Sequence, residues 1–313
     1  MPTVTAAFNS ALRRAILAAA DSPSMQRFVR RHGMRLGAAR YVAGETLDQA
    51  VPVLRRLNEL GLVTNTTLLG EHVADRETVE RIVAACEEVL RRITHEKLET
   101  NVALKLTHLG LSLDEELAYR NVERLVRAAA GLGNFIRIDM EESRWVDATL
   151  RIYRRLREAG HDNVGVVLQS YLYRSEQDLA SVLDLKPNLR VVKGAYLEPP
   201  ELAYPKKEDV DRAYVRLMER SLKEGGFTAI ATHDERLIRH AIAFTQHEGI
   251  ERERFQFQML YGVRPRLQLE LVGRGYSVLV ATPYGPDWYR YLMRRLAERP
   301  ANLLFFLRNL MQR

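Results

Sequence analysis

Residues 189–233 read LRVVKGAYLEPPELAYPKKEDVDRAYVRLMERSLKEGGFTAIATH, and this stretch shows the unit that repeats along the chain. A short β-rich run opens it at 189–196, a longer pattern with helical spacing follows, and a second β-rich run closes it at 227–233. Two strands joined by one helix lie parallel, because the chain needs a crossover connection to return in the same direction. The stretch therefore predicts a β–α–β unit.

The same alternation continues from Thr46 onward. Six further β-rich runs, each followed by a helical pattern, lie at 62–68, 101–107, 135–141, 164–170, 255–260 and 276–282. Eight parallel units close into a (β/α)8 barrel of about 250 residues. An open doubly wound sheet is disfavoured, because neither GxGxxG nor GxxxxGK[ST] follows a strand. The sequence predicts an α/β fold of the TIM-barrel type, with a helical arm at 1–45 and a catalytic barrel with a C-terminal helix at 46–313.

The composition is that of an ordinary globular protein, with 46% hydrophobic and 28% charged residues in 313. No run of about 18 uncharged apolar residues occurs, and the N-terminus lacks the apolar region and cleavage site of a signal peptide. We therefore expect a cytoplasmic protein that does not span a membrane. The single cysteine, Cys86, cannot form an internal disulfide and is predicted to be a buried small hydrophobe.

The charge balance is basic, since Lys and Arg outnumber Asp and Glu by 47 to 40. An excess of this kind fits nucleic acid, anionic lipid, an acidic ligand or simply a soluble surface. It is spread along amphipathic helices, and no basic patch with interleaved aromatic residues of the RNA-binding kind occurs. We therefore favour a solvated surface, with peripheral contact to a membrane as the second interpretation and no nucleic-acid partner.

Polar residues alternate with apolar residues inside the predicted strands. The side chains expected to face inward are Lys105 and Thr107 in the second strand, Arg137, Asp139 and Glu141 in the third, and Gln256 and Gln258 in the seventh. A barrel interior packed only for stability uses Val, Ile and Leu. Because unpaired polar groups are costly to bury, this polarity predicts a ligand.

The carboxyl ends of the strands are the expected position of an active site in such a barrel. They carry Glu71, Lys105, Asp139, Gln169, residues 190–196, Thr232, His233, Asp234 and Gln258, and the helix after the last strand adds Tyr291, Arg294, Arg295 and Glu298. Cations dominate this set, and buried cations need an anionic ligand such as a carboxylate, which arginines bind with forked hydrogen bonds.

Alternatives remain open for several of these residues. Consecutive helix residues diverge by about 100°, so Arg294 or Arg295 could belong to a solvated face. Lys105 could form an ion pair with Asp139 instead of binding a ligand. Gly194 could mark an ordinary strand-end turn rather than a close approach of backbone to a cofactor.

Two other residues could carry chemistry of a different class. His233 could act as a general base or metal ligand, although no second His or Cys lies at ligand spacing, and we expect no metal. Lys193 could be a Schiff-base nucleophile. Its side chain falls on the opposite face of its strand from Arg190, which favours a structural role.

Six strings, in order along the chain, resemble the proline dehydrogenase family: LKLTHLGL, RIDMEE, RVVKGAY, ATHDE, FQFQMLYG and YLMRRLAERPAN. RVVKGAY and YxxRRxxE together are specific for it. The resemblance implies a monofunctional bacterial flavoenzyme with a (β/α)8 barrel and non-covalent FAD. It also implies hydride transfer from L-proline to the flavin, with 1-pyrroline-5-carboxylate as product and a membrane quinone as electron acceptor. The resemblance further suggests that the protein contacts the inner membrane face peripherally and that a pyrroline-5-carboxylate dehydrogenase docks with it.

The resemblance also assigns roles to individual residues. It implies that Lys105, Arg294 and Arg295 hold the proline carboxylate, that Tyr291 packs beside the substrate, and that Glu71 pairs with the arginines and closes the site. It makes Tyr196 and Leu260 pocket walls, together with Ala281, where many members have a tyrosine. The implied flavin site contains Asp139, which also belongs to the catalytic group, Met140, Gln169, Arg190, Val192, Lys193, Gly194, Ala195, Thr232, His233, Gln258, Leu260, Arg295 and Glu298. Arg190 is expected near the reactive flavin nitrogen.

Two rival functions remain at this point. The first is a flavin-free barrel lyase that uses Lys193, and a colourless protein would favour it. The second is a basic, non-enzymatic binding protein, for which affinity would fall steeply with salt.

Overall fold

The computed structural model describes residues 38–298, with Ser22 and Arg27 before them, and gives the backbone alone at 294–298. Most of the predicted helical arm at 1–45 therefore lies outside the described residues. Its described end contains a 3₁₀ turn at Ala38–Arg40.

Eight parallel strands form a closed barrel in which each strand pairs with the next along the chain. They are β1 (Val63–Leu68), β2 (Thr100–Leu104), β3 (Ile136–Ile138), β4 (Val164–Gln169), β5 (Asn188–Val192), β6 (Phe227–Ala231), β7 (Phe255–Leu260) and β8 (Val278–Tyr284). The barrel closes where β1 pairs with β8, from Val63 opposite Leu279 to Leu68 opposite Tyr284. The predicted (β/α)8 fold is confirmed.

Helices surround this sheet, one before β1 and one after each strand. They are α1 (Leu47–Glu59), α2 (Arg76–His95), α3 (Glu115–Gly131), α4 (Val146–Glu158), α5 (Ser175–Ala180), α6 (Lys207–Glu224), α7 (Glu235–His247), α8 (Pro265–Gly273) and α9 (Trp288–Glu298). The starts of four of them are fixed by N-cap side chains, which accept hydrogen bonds from first-turn backbone N–H groups: Thr46, Asp75, Asp114 and Asp234.

Several strands end earlier than the sequence pattern predicts. β2 ends at Leu104 and continues into a 3₁₀ helix at Leu106–Leu109, and β3 ends at Ile138. Beyond these points side chains replace the sheet hydrogen bonds, since the Thr107 N–H donates to the Glu141 carboxylate at 3.0 Å. The predicted extra residues therefore belong to the loops that build the site.

Much of the polarity inside the barrel is satisfied by the protein itself. The fully buried Arg137 guanidinium donates to the Asn188 backbone oxygen at 2.7 Å and to the Val166 oxygen at 3.2 Å. Gln258 donates to Gln256 at 3.0 Å. The inference that all of this polarity needs a ligand was therefore too broad. Within the described residues, the Arg137 Nε atom still has no hydrogen-bond partner, and neither have Arg190 Nε and Gln169 Oε1 at the carboxyl ends of the strands.

Cys86 lies in the core on α2, where it is 3% exposed, as predicted. Burial raises the pKa of its thiol to about 12, so the thiol stays protonated. Among the described helices, none combines the length and the apolar character that a bilayer crossing requires.

Candidate active site

A cavity of about 850 Å³ opens at the carboxyl ends of the strands. The predicted site residues that line it are Lys105, Asp139, Met140, Gln169, Arg190, Val192, Lys193, Gly194, Ala195, Tyr196, Thr232, His233, Gln258, Leu260, Ala281 and Tyr291. The side chains of Arg294, Arg295 and Glu298 lie outside the described residues. The barrel therefore brings together residues that are spread over almost 190 positions of sequence, from Lys105 to Tyr291.

Lys105 and Glu71 form an ion pair beside the cavity, with 2.7 Å between the Lys105 Nζ and the Glu71 Oε2. Both side chains are only about one-tenth exposed, at 11% and 12%. The alternative ion pair of Lys105 with Asp139 is wrong, because the loop after β1 brings Glu71 to Lys105 while Arg190 reaches Asp139 from β5. The expected contact of Glu71 with the two arginines involves side chains outside the described residues.

Arg190 is the most deeply buried of the cations whose side chains are described at the cavity, with 7% of its surface exposed. Its guanidinium donates to Asp139 at 2.9 Å and to the Asn65 side-chain oxygen at 3.5 Å. Burial lowers the pKa of Arg190, and the Asp139 charge opposes that shift. Its Nε atom has no hydrogen-bond partner within the described part of the chain, and neither has the Oε1 atom of Gln169.

Lys193 lies one residue beyond β5 and is held by carboxylates. Its Nζ is 2.5 Å from an Asp211 oxygen and 3.4 Å from an Asp234 oxygen. Burial of Asp234 opposes ionisation, but hydrogen bonds from Arg236 and the charge of Lys193 outweigh burial and lower its pKa. Two carboxylates engage the Lys193 Nζ atom, whereas a Schiff-base nucleophile needs that atom free to attack the substrate. The structural interpretation of Lys193 agrees with these contacts.

His233 is bonded to the backbone of β7 through its Nε2 atom. Its Nε2 atom accepts a hydrogen bond of 2.9 Å from the backbone N–H of Leu260. This nitrogen is therefore unprotonated and occupied, so it does not serve as a general base in this arrangement. Among the side chains that the structure describes, no group of three or more His, Cys, Asp or Glu residues could hold a metal ion.

Gly194 has a structural requirement beyond an ordinary turn. Its φ angle is +110°, and a Cβ atom added there would lie 2.1 Å from the ring of Tyr171. Only glycine allows this conformation and this contact together. Since Gly194 has no side chain, the backbone after β5 itself forms the cavity wall at this position.

Sequence reasoning missed Asn65 and Tyr41, which also line the cavity. Tyr41 is 4% exposed, and its segment is fixed to β8 by a hydrogen bond of 2.8 Å from the Ala43 N–H to the Pro283 oxygen. No local signal indicates this role, because Tyr41 precedes the first barrel element and meets the cavity only after the barrel closes.

The fold and the site define a (β/α)8 barrel protein with a cation-rich cavity at the carboxyl ends of its strands. Residues 50–308 match the sequence profile of the proline dehydrogenase family. Proline dehydrogenase 1 of Bacillus subtilis (strain 168) is 39% identical over 302 residues, which are 96% of this chain and 100% of that protein. Proline dehydrogenase of Deinococcus radiodurans is 42% identical over 307 residues, with 96% and 98% covered. The chain belongs to the proline dehydrogenase family.

The same fold occurs in proline utilization A from Bdellovibrio bacteriovorus, whose crystal structure has a TM-score of 0.79 to this chain. The two chains are 23% identical, and the alignment covers 87% of this chain and 33% of that one. This similarity supports the barrel fold.

Proposed function

We propose that this protein oxidises L-proline to 1-pyrroline-5-carboxylate with a non-covalently bound FAD. Family membership and the match to proline dehydrogenases over nearly their whole length support the substrate class. The observation that carries the cofactor assignment is the pair of unsatisfied buried atoms at the cavity, Arg190 Nε and Gln169 Oε1. A buried donor and a buried acceptor without partners favour a ligand that offers both, as the polar edge of a flavin ring does.

The remaining cavity residues also fit FAD. Besides Lys105 and Arg190, the described part of the cavity lining contains four cations, Lys193, Lys207, Arg236 and Arg264, and cations of this kind bind a diphosphate. The small residues Gly194 and Ala195 line the cavity at the end of β5, so no large side chain separates this backbone from a cofactor. When bound, FAD supplies the hydride acceptor, and the protein supplies binding, orientation and electrostatics.

The chain's own residues orient the substrate. Lys105 provides a cation for the proline carboxylate, and the family resemblance adds Arg294 and Arg295. Such a clamp fixes the ring carbon next to the nitrogen in one position, which lowers the entropic part of the barrier. Tyr196, Leu260 and Tyr291 line the cavity and limit access of water to the reacting bond.

One spectroscopic experiment tests this proposal. The purified protein should be yellow, acid precipitation should release the colour into the supernatant, and anaerobic addition of proline should bleach it. A protein that binds no flavin when reconstituted with FAD, or colour that stays with the precipitate, contradicts the cofactor assignment. A yellow protein that does not respond to proline contradicts the substrate assignment. A flavin-free lyase with Lys193 as nucleophile predicts a colourless protein.

We further propose a membrane quinone as electron acceptor, reached by peripheral contact at the cytoplasmic face of the inner membrane, and a pyrroline-5-carboxylate dehydrogenase as the next enzyme. The net charge of +7 supports attraction to anionic lipid. Sedimentation with anionic vesicles should be stronger than with neutral vesicles and should weaken at high salt. Equal binding to both kinds of vesicle contradicts the electrostatic part of this proposal.

A further inference from the structure

The loop after β3 binds three other loops through three consecutive residues. Glu141 accepts hydrogen bonds from the backbone N–H of Thr107, at 3.0 Å, and from the Thr107 hydroxyl. Glu142 contacts His72 at 3.0 Å. The Ser143 N–H and hydroxyl each donate to Glu198 at 2.7 Å. The loops after β1, β2, β3 and β5 are therefore joined at this segment.

Thr107 connects Glu141 to both partners of the Lys105–Glu71 ion pair. Its hydroxyl oxygen accepts a hydrogen bond of 3.2 Å from the His72 N–H, next to Glu71. Its carbonyl oxygen accepts another, also of 3.2 Å, from the Val73 N–H. Lys105 lies two residues before Thr107 in the same short segment. A shift of Thr107 would consequently move Lys105 and the loop that carries Glu71 together.

Burial of the Glu141 side chain carries a desolvation cost that a residue with only a packing role would avoid. It is 1% exposed and Thr107 is fully buried. Burial raises the pKa of Glu141, which the nearby Lys105 charge and the two Thr107 hydrogen bonds oppose. An apolar side chain would avoid this desolvation cost but could not accept from both Thr107 donors. The carboxylate therefore fixes the position of Thr107.

We propose that Glu141 is a positioning residue for Lys105, acting through Thr107, so that the lysine ammonium is held where the substrate carboxylate binds. This inference rests on the proposed function. Glu141 does not itself line the cavity. Its role is to hold the segment from Lys105 to Thr107 and, through His72 and Val73, the loop of Glu71.

A matched pair of substitutions at Thr107 isolates the hydrogen bond from packing. Thr107→Val has nearly the same shape but loses the hydroxyl, whereas Thr107→Ser keeps it. We expect Thr107→Val and Glu141→Gln each to raise the KM for proline by about 10-fold, with kcat changed by less than about 3-fold. Thr107→Ser should stay close to wild type. FAD content should be equal in all four proteins.

Binding of tetrahydrofuran-2-carboxylate, followed through the flavin spectrum, separates positioning from general damage. This analogue has the carboxylate but no amine to oxidise. Glu141→Gln should weaken its binding about 10-fold in the wild-type background and less than about 2-fold in the Lys105→Met background. Equal weakening in both backgrounds, or a lowered kcat at unchanged KM, overturns the proposal.

Hydrogen–deuterium exchange gives a readout that does not depend on the substrate. Backbone amides at 69–75 and 105–111 should exchange faster in Thr107→Val and Glu141→Gln than in wild type or Thr107→Ser. Unchanged exchange in both segments overturns the positioning role. If exchange rises but the wild-type protein does not oxidise proline, the proposed function fails while the link from Glu141 to Lys105 stands.

Discussion

The Arg190 guanidinium, on β5, donates a hydrogen bond of 2.9 Å to the carboxylate of Asp139, which follows β3. Asp139→Asn should destabilise the protein, because it leaves a buried cation without its counter-charge. The Asp139 side chain is 26% exposed, which reduces the effect, so we expect a loss of about 1–3 kcal/mol in the free energy of unfolding. Urea titration checks this value.

The matched control is Asp184→Asn, which removes the carboxylate of an exposed ion pair with Arg154. Exposed pairs contribute little, and this variant should lose less than about 1 kcal/mol. Equal losses in the two variants would show that the Asp139–Arg190 pair stabilises the protein no more than the exposed Asp184–Arg154 pair does.

Gly194→Ala should destabilise the protein more than substitution of another glycine with a positive φ angle that has open space around it. The new Cβ atom would lie 2.1 Å from the Tyr171 ring, so the ring or the backbone must move. Gly133→Ala is the control, since Gly133 also has a positive φ, of +65°, but nothing lies within 4 Å of its added Cβ. We expect about 1–2 kcal/mol for the control and at least 2 kcal/mol more for Gly194→Ala, with lower FAD content. Similar unfolding free energies would contradict the steric argument.

The free energy of unfolding should decrease as the pH falls from about 6.5 towards 4, because of the buried His108. Burial and the Lys105 charge lower the pKa of this histidine from 6.5 to about 4. Between these values the unfolded chain binds a proton that the folded chain does not, so acidification favours unfolding. The contribution between pH 7 and pH 5 is about 2 kcal/mol.

The His108 contribution can be measured by urea unfolding at pH 7 and pH 5. His108→Gln should lose less stability over this interval than wild type does. His247→Gln, at a histidine whose side chain is 83% exposed, should behave like wild type. A His108→Gln variant with the full wild-type loss would contradict the prediction.

Arg294→Met and Arg295→Met should each weaken the use of proline far more than the binding of FAD. Loss of a charge-assisted hydrogen bond to a buried carboxylate costs about 2–4 kcal/mol, or about 30- to 1000-fold in kcat/KM. Steady-state kinetics and flavin content check this. Arg290→Met is the control, because Arg290 is an exposed residue of the same helix, α9. Unchanged kinetics in both arginine variants would place these two side chains on the surface.

Ala281 should affect discrimination between proline and 4-hydroxyproline. It lines the cavity on β8, where its neighbours in register are Asn65 on β1 and Leu260 on β7. If no neighbouring side chain or water fills the space beside this small side chain, there is room for one added hydroxyl, which a pocket rejects by only about 1–3 kcal/mol. Ala281→Tyr should raise the ratio of proline to hydroxyproline kcat/KM about 10-fold. An unchanged ratio at normal FAD content would show that position 281 does not contact the substrate.

The sequence by itself determined the barrel. Alternation with a period of two marks the strands and longer helical patterns separate them, and both signals are local, so all eight strands could be predicted. The carboxyl ends of parallel strands necessarily meet at one end of a barrel. This rule alone placed Lys105, Asp139, Gln169 and Arg190 around a common cavity.

Only the tertiary structure decided which of these groups pair. The pattern allowed Lys105 to bind Asp139, but the loop after β1 supplies Glu71 and leaves Asp139 to Arg190. The pairing of Glu141 with Thr107 was also decided by the tertiary structure alone. Thr107 lies beyond the end of β2, although the sequence pattern placed Thr107 in that strand. Which charges pair depends on the path of each loop and on which carboxylate can offset the desolvation of each buried cation. Both are properties of residues far apart in sequence, and hydrophobic periodicity carries no information about them.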